Sequence, residues 1–288
     1  CMHKVGGVLV NTIDSIIISA FIGVVVLGKY SNYTTIVSAL TGTIILFFTP
    51  ITSIIGHLYI EADKETVNKY YNFFYIFNFI IGCISFLGYY GVIDNVVTLC
   101  FGDGLELAKS VTFVITVNYF IQFMRQSTLL FRDASGTFYY DRWKPIIESL
   151  LNLTLSIGCV YLFRYLWGDD IAVVGVIVAT IITNLFICHI IEPYVLFKHA
   201  LNTSVKKFYL KNYICILLFV AMLVVLSFCM INLDNEWLEF LANGSIAVGI
   251  ALIPCIFVTI FDKNFRYNIG LYFKKLKNKL CKKNNLRG

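Results

Sequence analysis

Apolar residues in this chain come in long unbroken runs, not at alternating positions. A bilayer core takes about 20 apolar residues as a helix. Eight runs reach that length: 5–27, 34–60, 71–92, 111–131, 145–166, 171–191, 213–233 and 241–261. Barrel strands would appear as alternating segments of about ten residues, and these runs do not alternate. Backbone groups in lipid must bond within their own segment, so each run predicts a helix. The connection between the third and fourth runs is the long one on its side. It holds a short apolar piece at 96–101, expected at the membrane surface, and a turn at Gly102, Asp103 and Gly104. The predicted class is an all-α polytopic membrane protein of about eight transmembrane helices. A polar, lysine-rich tail follows them from 263 to 288.

Polar residues inside the runs repeat at helical spacing. Gly7, Asn11, Ser15 and Ser19 recur every four residues in the first run, with Asp14 beside them. The second has Thr49, Ser53 and His57, the fourth Asn118, Gln122, Arg125 and Gln126, and the fifth Glu148, Asn152 and Ser156. Thr180, Thr183 and Asn184 lie near the middle of the sixth. Residues four apart share a helix face. An ionisable group facing lipid costs about 2.5–3.5 kcal/mol or more, so such faces turn toward protein or water. A hydrated cavity is therefore expected among the first six helices, with the last two at the periphery. Plainer readings compete. Ser and Thr such as Thr49 and Ser53 often bond their own backbone or glue helices together. Arg125 could snorkel to the surface, and Lys4 could be a topology signal. Asp14 could be buried against a neighbouring helix without a role, and His57 could be interfacial. Glu148 and Glu192 could be solvated or paired with Lys144 and Lys198.

Composition agrees with the runs. The 288 residues are 58% hydrophobic, 16% aromatic and 14% charged, with a mean hydropathy of +0.78. Soluble domains average about 45–50% apolar and about 25% charged, so this chain has too little polar material to cover a globule or to stay disordered. The net charge of +6 conceals an asymmetry. Alternating spans put 20 of the 23 Lys and Arg on one side and only Lys29, Lys109 and Arg164 on the other. Positive residues mark the cytoplasmic side, so both termini are expected there. Tyr70, Tyr71, Tyr89, Tyr90, Tyr139, Tyr140, Trp143, Trp167 and Trp237 read as interface markers. The charges flank apolar runs and form no basic soluble domain, which argues against a nucleic-acid partner.

Six of the nine cysteines fall inside runs, where they behave as small apolar residues. No paired-cysteine or His/Cys ligand spacing occurs, so no metal or other cofactor is expected. A phosphate-cradling glycine loop and a Ser/His/Asp signature are also missing, and the loops are too short for a catalytic domain. Transport is favoured over enzyme chemistry. Cys1 is no initiator, and the run from Val5 is too long for a signal core and lacks a cleavage site, so the sequence reads as a fragment.

Two stretches carry a resemblance. The first is 3–19, with His3, Lys4, Gly6, Gly7, Asn11, Asp14 and Ser15, followed by Gly28, Lys29, Tyr30, Ser31, Asn32 and Tyr33. The second is 131–148, with Arg132, Asp133, Gly136, Asp141, Arg142, Trp143, Lys144, Pro145 and Glu148. It continues through Asn152 to Glu192 and Pro193. The chain, up to about Phe261, resembles the bacterial polysaccharide-biosynthesis flippases. These export O-antigen and capsule repeat units and belong to the multidrug/oligosaccharidyl-lipid/polysaccharide exporter superfamily. The resemblance implies a second six-helix lobe over 1–200, two additional helices over 201–262 and a cytoplasmic tail over 263–288, with the first lobe missing. It implies a bacterial cytoplasmic-membrane location and flipping of an undecaprenyl-pyrophosphate-linked oligosaccharide. Partners would be membrane lipids, a separate first-lobe polypeptide and the polymerase machinery. Lys4, Arg125, Arg132 and Arg142 would attract the pyrophosphate, because arginine suits phosphate through bidentate bonds. Asn11, Gln122 and Asn152 would bond sugars, and Asp14 would carry a coupling proton or cation. Gly136 would permit a tight connection and Pro145 would start a helix. A cation-coupled drug exporter of the same superfamily and a non-transporting scaffold remnant are the rival readings.

Overall fold

A computed structural model of the chain describes residues 12–168, 171–233 and 235–261. All regular structure among them is helical. The helices are α1 (Thr12–Ile22), α2 (Val24–Glu61), α3 (Lys64–Phe101), α4 (Lys109–Met124), α5 (Gln126–Ala134), α6 (Lys144–Trp167), α7 (Ala172–Leu201), α8 (Lys206–Cys229) and α9 (Glu236–Phe261). Six of them, α2, α3, α6, α7, α8 and α9, are long and apolar enough to cross a membrane. The chain is an all-α, multi-pass membrane protein. Lys4, Asn11 and the tail lie outside the described residues.

The runs foresaw the helices better than their ends. Residues 28–33 were expected to link the first two helices. The break falls instead at Gly23, with φ of 130°, and α2 runs 38 residues without interruption. Tertiary bonds hold this stretch helical. Tyr33 is buried and its hydroxyl donates to Asp94 Oδ1 on α3 at 2.7 Å. The Tyr89 hydroxyl donates to the Tyr33 carbonyl at 3.1 Å. The piece at 96–101 does not lie apart at the surface, since α3 continues through it to the turn at Gly102. At about 1.5 Å per residue, 38 residues exceed a core of about 30 Å, so α2 and α3 reach beyond it. Asp63 caps α3, its carboxylate accepting the Thr66 hydroxyl at 2.6 Å and the Thr66 N–H at 3.3 Å. The Thr66 hydroxyl bond holds the Asp63 carboxyl below its usual range.

The fourth run is also divided. Its α4 and α5 portions meet at Arg125, whose N–H bonds the Gln122 carbonyl and so tightens the turn. Gly136, in the left-handed region at φ 71°, and a 3₁₀ turn at Thr137–Tyr139 lead to Pro145 in the first turn of α6, as expected.

α3 and α7 are the inner helices. α9 lies along α3, α6 along α7, and α4 contacts both α3 and α7. Three expected interface tyrosines belong to the core instead. Tyr71, Tyr89 and Tyr90 are buried because neighbouring helices cover them, whereas Tyr70, Tyr139, Tyr140, Trp143, Trp167 and Trp237 are exposed. Tyr71 packs edge-on to Phe131 and Phe197, and Phe120 stacks on Phe219 at 3.6 Å. The last two helices, expected at the periphery, are mostly exposed and are tied together at their connection. Asn243 on α9 is fully buried, accepting the Ile231 N–H at 2.9 Å and donating to the Ile231 carbonyl at 3.0 Å.

Candidate functional site

Two polar centres lie among the apolar helices. The first is an open cavity of about 610 Å³ between α1, α2 and α4. Ser38, Thr34 and Tyr30 line it from α2, and Asn118, Tyr119 and Gln122 from α4. Gln122 and Asn118 are one turn apart, and the Gln122 amide donates to Asn118 Oδ1 at 3.3 Å. Asp14 of α1 is the only carboxylate among the described residues of the lining and is 7% exposed.

A chain of polar contacts leads from Asp14 into the protein. The Thr180 hydroxyl on α7 donates to Asp14 Oδ1 at 2.9 Å, and Asn152 Nδ2 on α6 donates to Thr180 Oγ1 at 2.8 Å. Two further oxygens on the same face of α6, Asn152 Oδ1 and Ser156 Oγ, are buried and make no hydrogen bond. Buried polar atoms are normally satisfied, so this pair is unusual. The fifth-run stripe of Glu148, Asn152 and Ser156 therefore faces inward, as its spacing predicts.

The second centre is a buried cluster of four charges. Arg125, at the α4–α5 break, grips Glu192 of α7 with two bonds, Nε to Oε2 at 3.0 Å and Nη2 to Oε1 at 2.6 Å. Its Nη1 donates to Asn184 Oδ1 at 2.7 Å and lies 3.7 Å from Glu148. The Lys144 ammonium reaches Glu148 at 2.9 Å and Glu192 at 2.5 Å. Two cations and two carboxylates balance. Charges removed from water this way persist only when paired and hydrogen-bonded. Arg125 does not snorkel, and Glu192 is paired with Arg125 and Lys144 instead of Lys198, which donates to the Tyr194 hydroxyl at 3.1 Å.

The expected site residues are thus distributed. Asp14 and Gln122 share the cavity. Asn152 is fully buried behind Asp14, one contact further in. Arg125 follows Gln122 by three residues but spends its donors on Glu192 and Asn184. Arg132 is occupied by Asp141 at 2.7 Å and Asp133 at 2.9 Å. Arg142 is exposed, its guanidinium 4.5 Å above the Tyr139 ring. Thr49 bonds its own backbone at Ile45, and with Ser53 and His57 it lies on an exposed face of α2.

One buried chain had no sequence signal. The Tyr75 hydroxyl donates to Asn212 Oδ1 at 2.9 Å, Asn212 meets His189 Nδ1 at 3.0 Å, and His189 Nε2 meets the Ile121 carbonyl at 3.0 Å. These residues stand singly in their helices, so no periodicity marks them. Lys144 and Glu148 did carry a signal, since their spacing of four is that of an ion pair on a helix.

Compared with family models, curated proteins and solved structures, the chain matches none.

Proposed function

We propose that the chain is one six-helix lobe, with two additional helices, of a flippase. It would move a lipid-linked oligosaccharide repeat unit across the bacterial cytoplasmic membrane for surface polysaccharide export. The observation that carries the reading is the cavity between α1, α2 and α4, lined by hydroxyls and amides among apolar helices. A sugar chain in transit needs donors and acceptors within the bilayer, and Gln122, Asn118 and Ser38 supply them there. Intramembrane ionisable residues mark ion or substrate paths, and Asp14 is the one carboxylate among the described residues of the cavity lining. Its carboxylate, held by the Thr180 hydroxyl, is suited to carry a proton.

On this reading eight helices cross the membrane, α1 and the broken α4–α5 pair included, and both termini are cytoplasmic. Lys4 and Arg142 draw the pyrophosphate of an undecaprenyl-linked substrate to the cytoplasmic mouth, where Arg132 is held by Asp141 and Asp133, and Asn11 offers a hydrogen bond to its sugars. Arg125, balanced by Glu192, holds the break in α4–α5 in place. Alternating access rocks one lobe against another, so a first lobe is the partner. A cation-coupled drug exporter is the second reading, favoured by the single carboxylate of Asp14 beside the Tyr30 and Tyr119 rings.

The test is a flipping assay in proteoliposomes holding this lobe with its first-lobe partner and a fluorescent lipid-linked oligosaccharide. Asp14→Asn is expected to remove dependence on the ion gradient, and Gln122→Ala to slow flipping about tenfold. Unchanged flipping in both variants at equal protein level overturns the proposal. Export of a cationic dye without oligosaccharide flipping selects the second reading.

A further inference from the structure

A second cavity, of about 690 Å³, lies at the end of the bundle that carries the α5–α6 and α7–α8 connections. His57 and Tyr59 face it from the end of α2, Lys64 from the start of α3, Ser135 from the loop after α5, and His199 from the end of α7. No carboxylate lines it among the described residues. Among the acids nearest in sequence, Glu61 is exposed at the end of α2 and forms no ion pair with Lys64, and the others are engaged elsewhere. Asp63 holds Thr66, Glu65 holds Lys69, and Asp133 holds Arg132.

The cations of this cavity differ from the other inward cations at the same end. Arg125, Arg132 and Lys144 are each matched by carboxylates. Lys64 has no acidic partner among the described residues. Its ammonium meets only the neutral Asn202 amide, whose nitrogen donates to the Lys198 carbonyl at 2.8 Å. Asn202 sits in the left-handed region at φ 50°, where it ends α7 and accepts a hydrogen bond from Lys64. His199 is fixed by face-to-face stacking on Tyr140, with ring centres 3.8 Å apart. The Tyr59 hydroxyl is buried beside Ser135 on the wall of the same pocket. A pocket with an ammonium that meets no carboxylate among the described residues, two imidazoles and the hydroxyls of Tyr59 and Ser135 is built for an anion that accepts several hydrogen bonds.

We propose that this pocket binds a phosphate group. A phosphate supplies oxygens on several sides, enough for Lys64, His57, His199 and Tyr59 at once. It comes either as a lipid phosphomonoester headgroup or as a soluble phosphate, since the pocket lies at the lysine-rich end of the helices. The inference stands apart from the flipping reading, because binding here is measured without transport.

The test uses the full chain in nanodiscs. In one arm, phosphatidylcholine discs with and without phosphatidic acid are compared by native mass spectrometry for retained lipid. In the other, inorganic pyrophosphate is titrated against phosphatidylcholine discs and followed by phosphorus NMR. Binding is expected in the lipid arm, the soluble arm or both, and the arm identifies the source. Lys64→Gln and His57→Gln are each expected to weaken it about tenfold, and Tyr59→Phe, which keeps the ring against Phe131, a few-fold. Lys69→Gln removes an equal charge from the same helix outside the pocket and is expected to bind as the unaltered chain does. His57 is exposed and makes no hydrogen bond, so His57→Gln still decides the matter where Lys64→Gln fails to fold. No binding in either arm overturns the proposal. Binding unaffected by the pocket variants, or weakened as much by Lys69→Gln, also overturns it.

Discussion

Arg125 shows how much a single residue's role depends on its partners. In the linear chain it is a cation near the end of an apolar run, equally suited to snorkelling or to a phosphate. Glu192 is 67 positions away and takes two of its bonds. The cluster they form with Lys144 and Glu148 is neutral as a whole but not in any part. Glu192→Gln leaves two buried cations with one carboxylate, and breaking a buried pair costs about 3–5 kcal/mol. A large fall in melting temperature is expected for Glu192→Gln. Replacing both partners by apolar side chains (Arg125→Met with Glu192→Leu) is expected to recover much of it, because Lys144 and Glu148 remain as a matched pair. A double variant no more stable than the single one would show that the cluster does not act as a pair. The cavity side of this chemistry was partly legible. Spacing alone put Asp14, Gln122 and Asn152 on inward faces, because period and burial cost are local properties. The identity of Glu192 as counter-ion was not legible, because ion-pair choice is settled by distance in space.

Helices in this bundle meet most closely where side chains vanish. Gly175 of α7 faces α6 so tightly that an added Cβ would lie 2.7 Å from the Cys159 carbonyl oxygen and 3.2 Å from Phe163 Cβ. Small residues allow such approach in membrane helix pairs. Gly175→Ala is therefore expected to force α6 and α7 apart at a cost of about 1–3 kcal/mol. Gly158→Ala, with open space around the added carbon, is expected to leave the melting temperature within a degree or two of the unaltered chain. Equal melting for both variants would mean that the helix pair yields freely. Element ends were the least legible feature of the chain. Gly28, Lys29 and Asn32 read as a connection, yet Tyr33 and Tyr89 bonds keep them in α2. Conversely, nothing in the run 111–131 announced the break at Arg125, which follows from that residue's bonds to α7.

For the whole molecule, the charge asymmetry and the helix order make one prediction about sidedness. The connections after α3, α6 and α8 should face one side of the membrane, and those after α2, α5 and α7 the other. In a cysteine-less background, Asp103→Cys and Glu236→Cys are expected to react with an impermeant maleimide added to intact cells. Ser135→Cys and Thr203→Cys are expected to react only after permeabilisation. The reverse pattern would invert the orientation, and labelling of all four in intact cells would refute the alternation. The sequence by itself determined that the chain is a bundle of membrane helices, because transfer of apolar side chains and internal backbone bonding depend only on what each run contains. It also determined which helix faces are polar. Tertiary structure alone decided which of those polar groups meet. It joined Asp14 to Thr180 and Asn152, it matched Arg125 and Lys144 to Glu148 and Glu192, and it left Lys64 with no carboxylate among the described residues. Those outcomes depend on the crossing of helices far apart in sequence, where a difference of an ångström separates an ion pair from an unmatched charge.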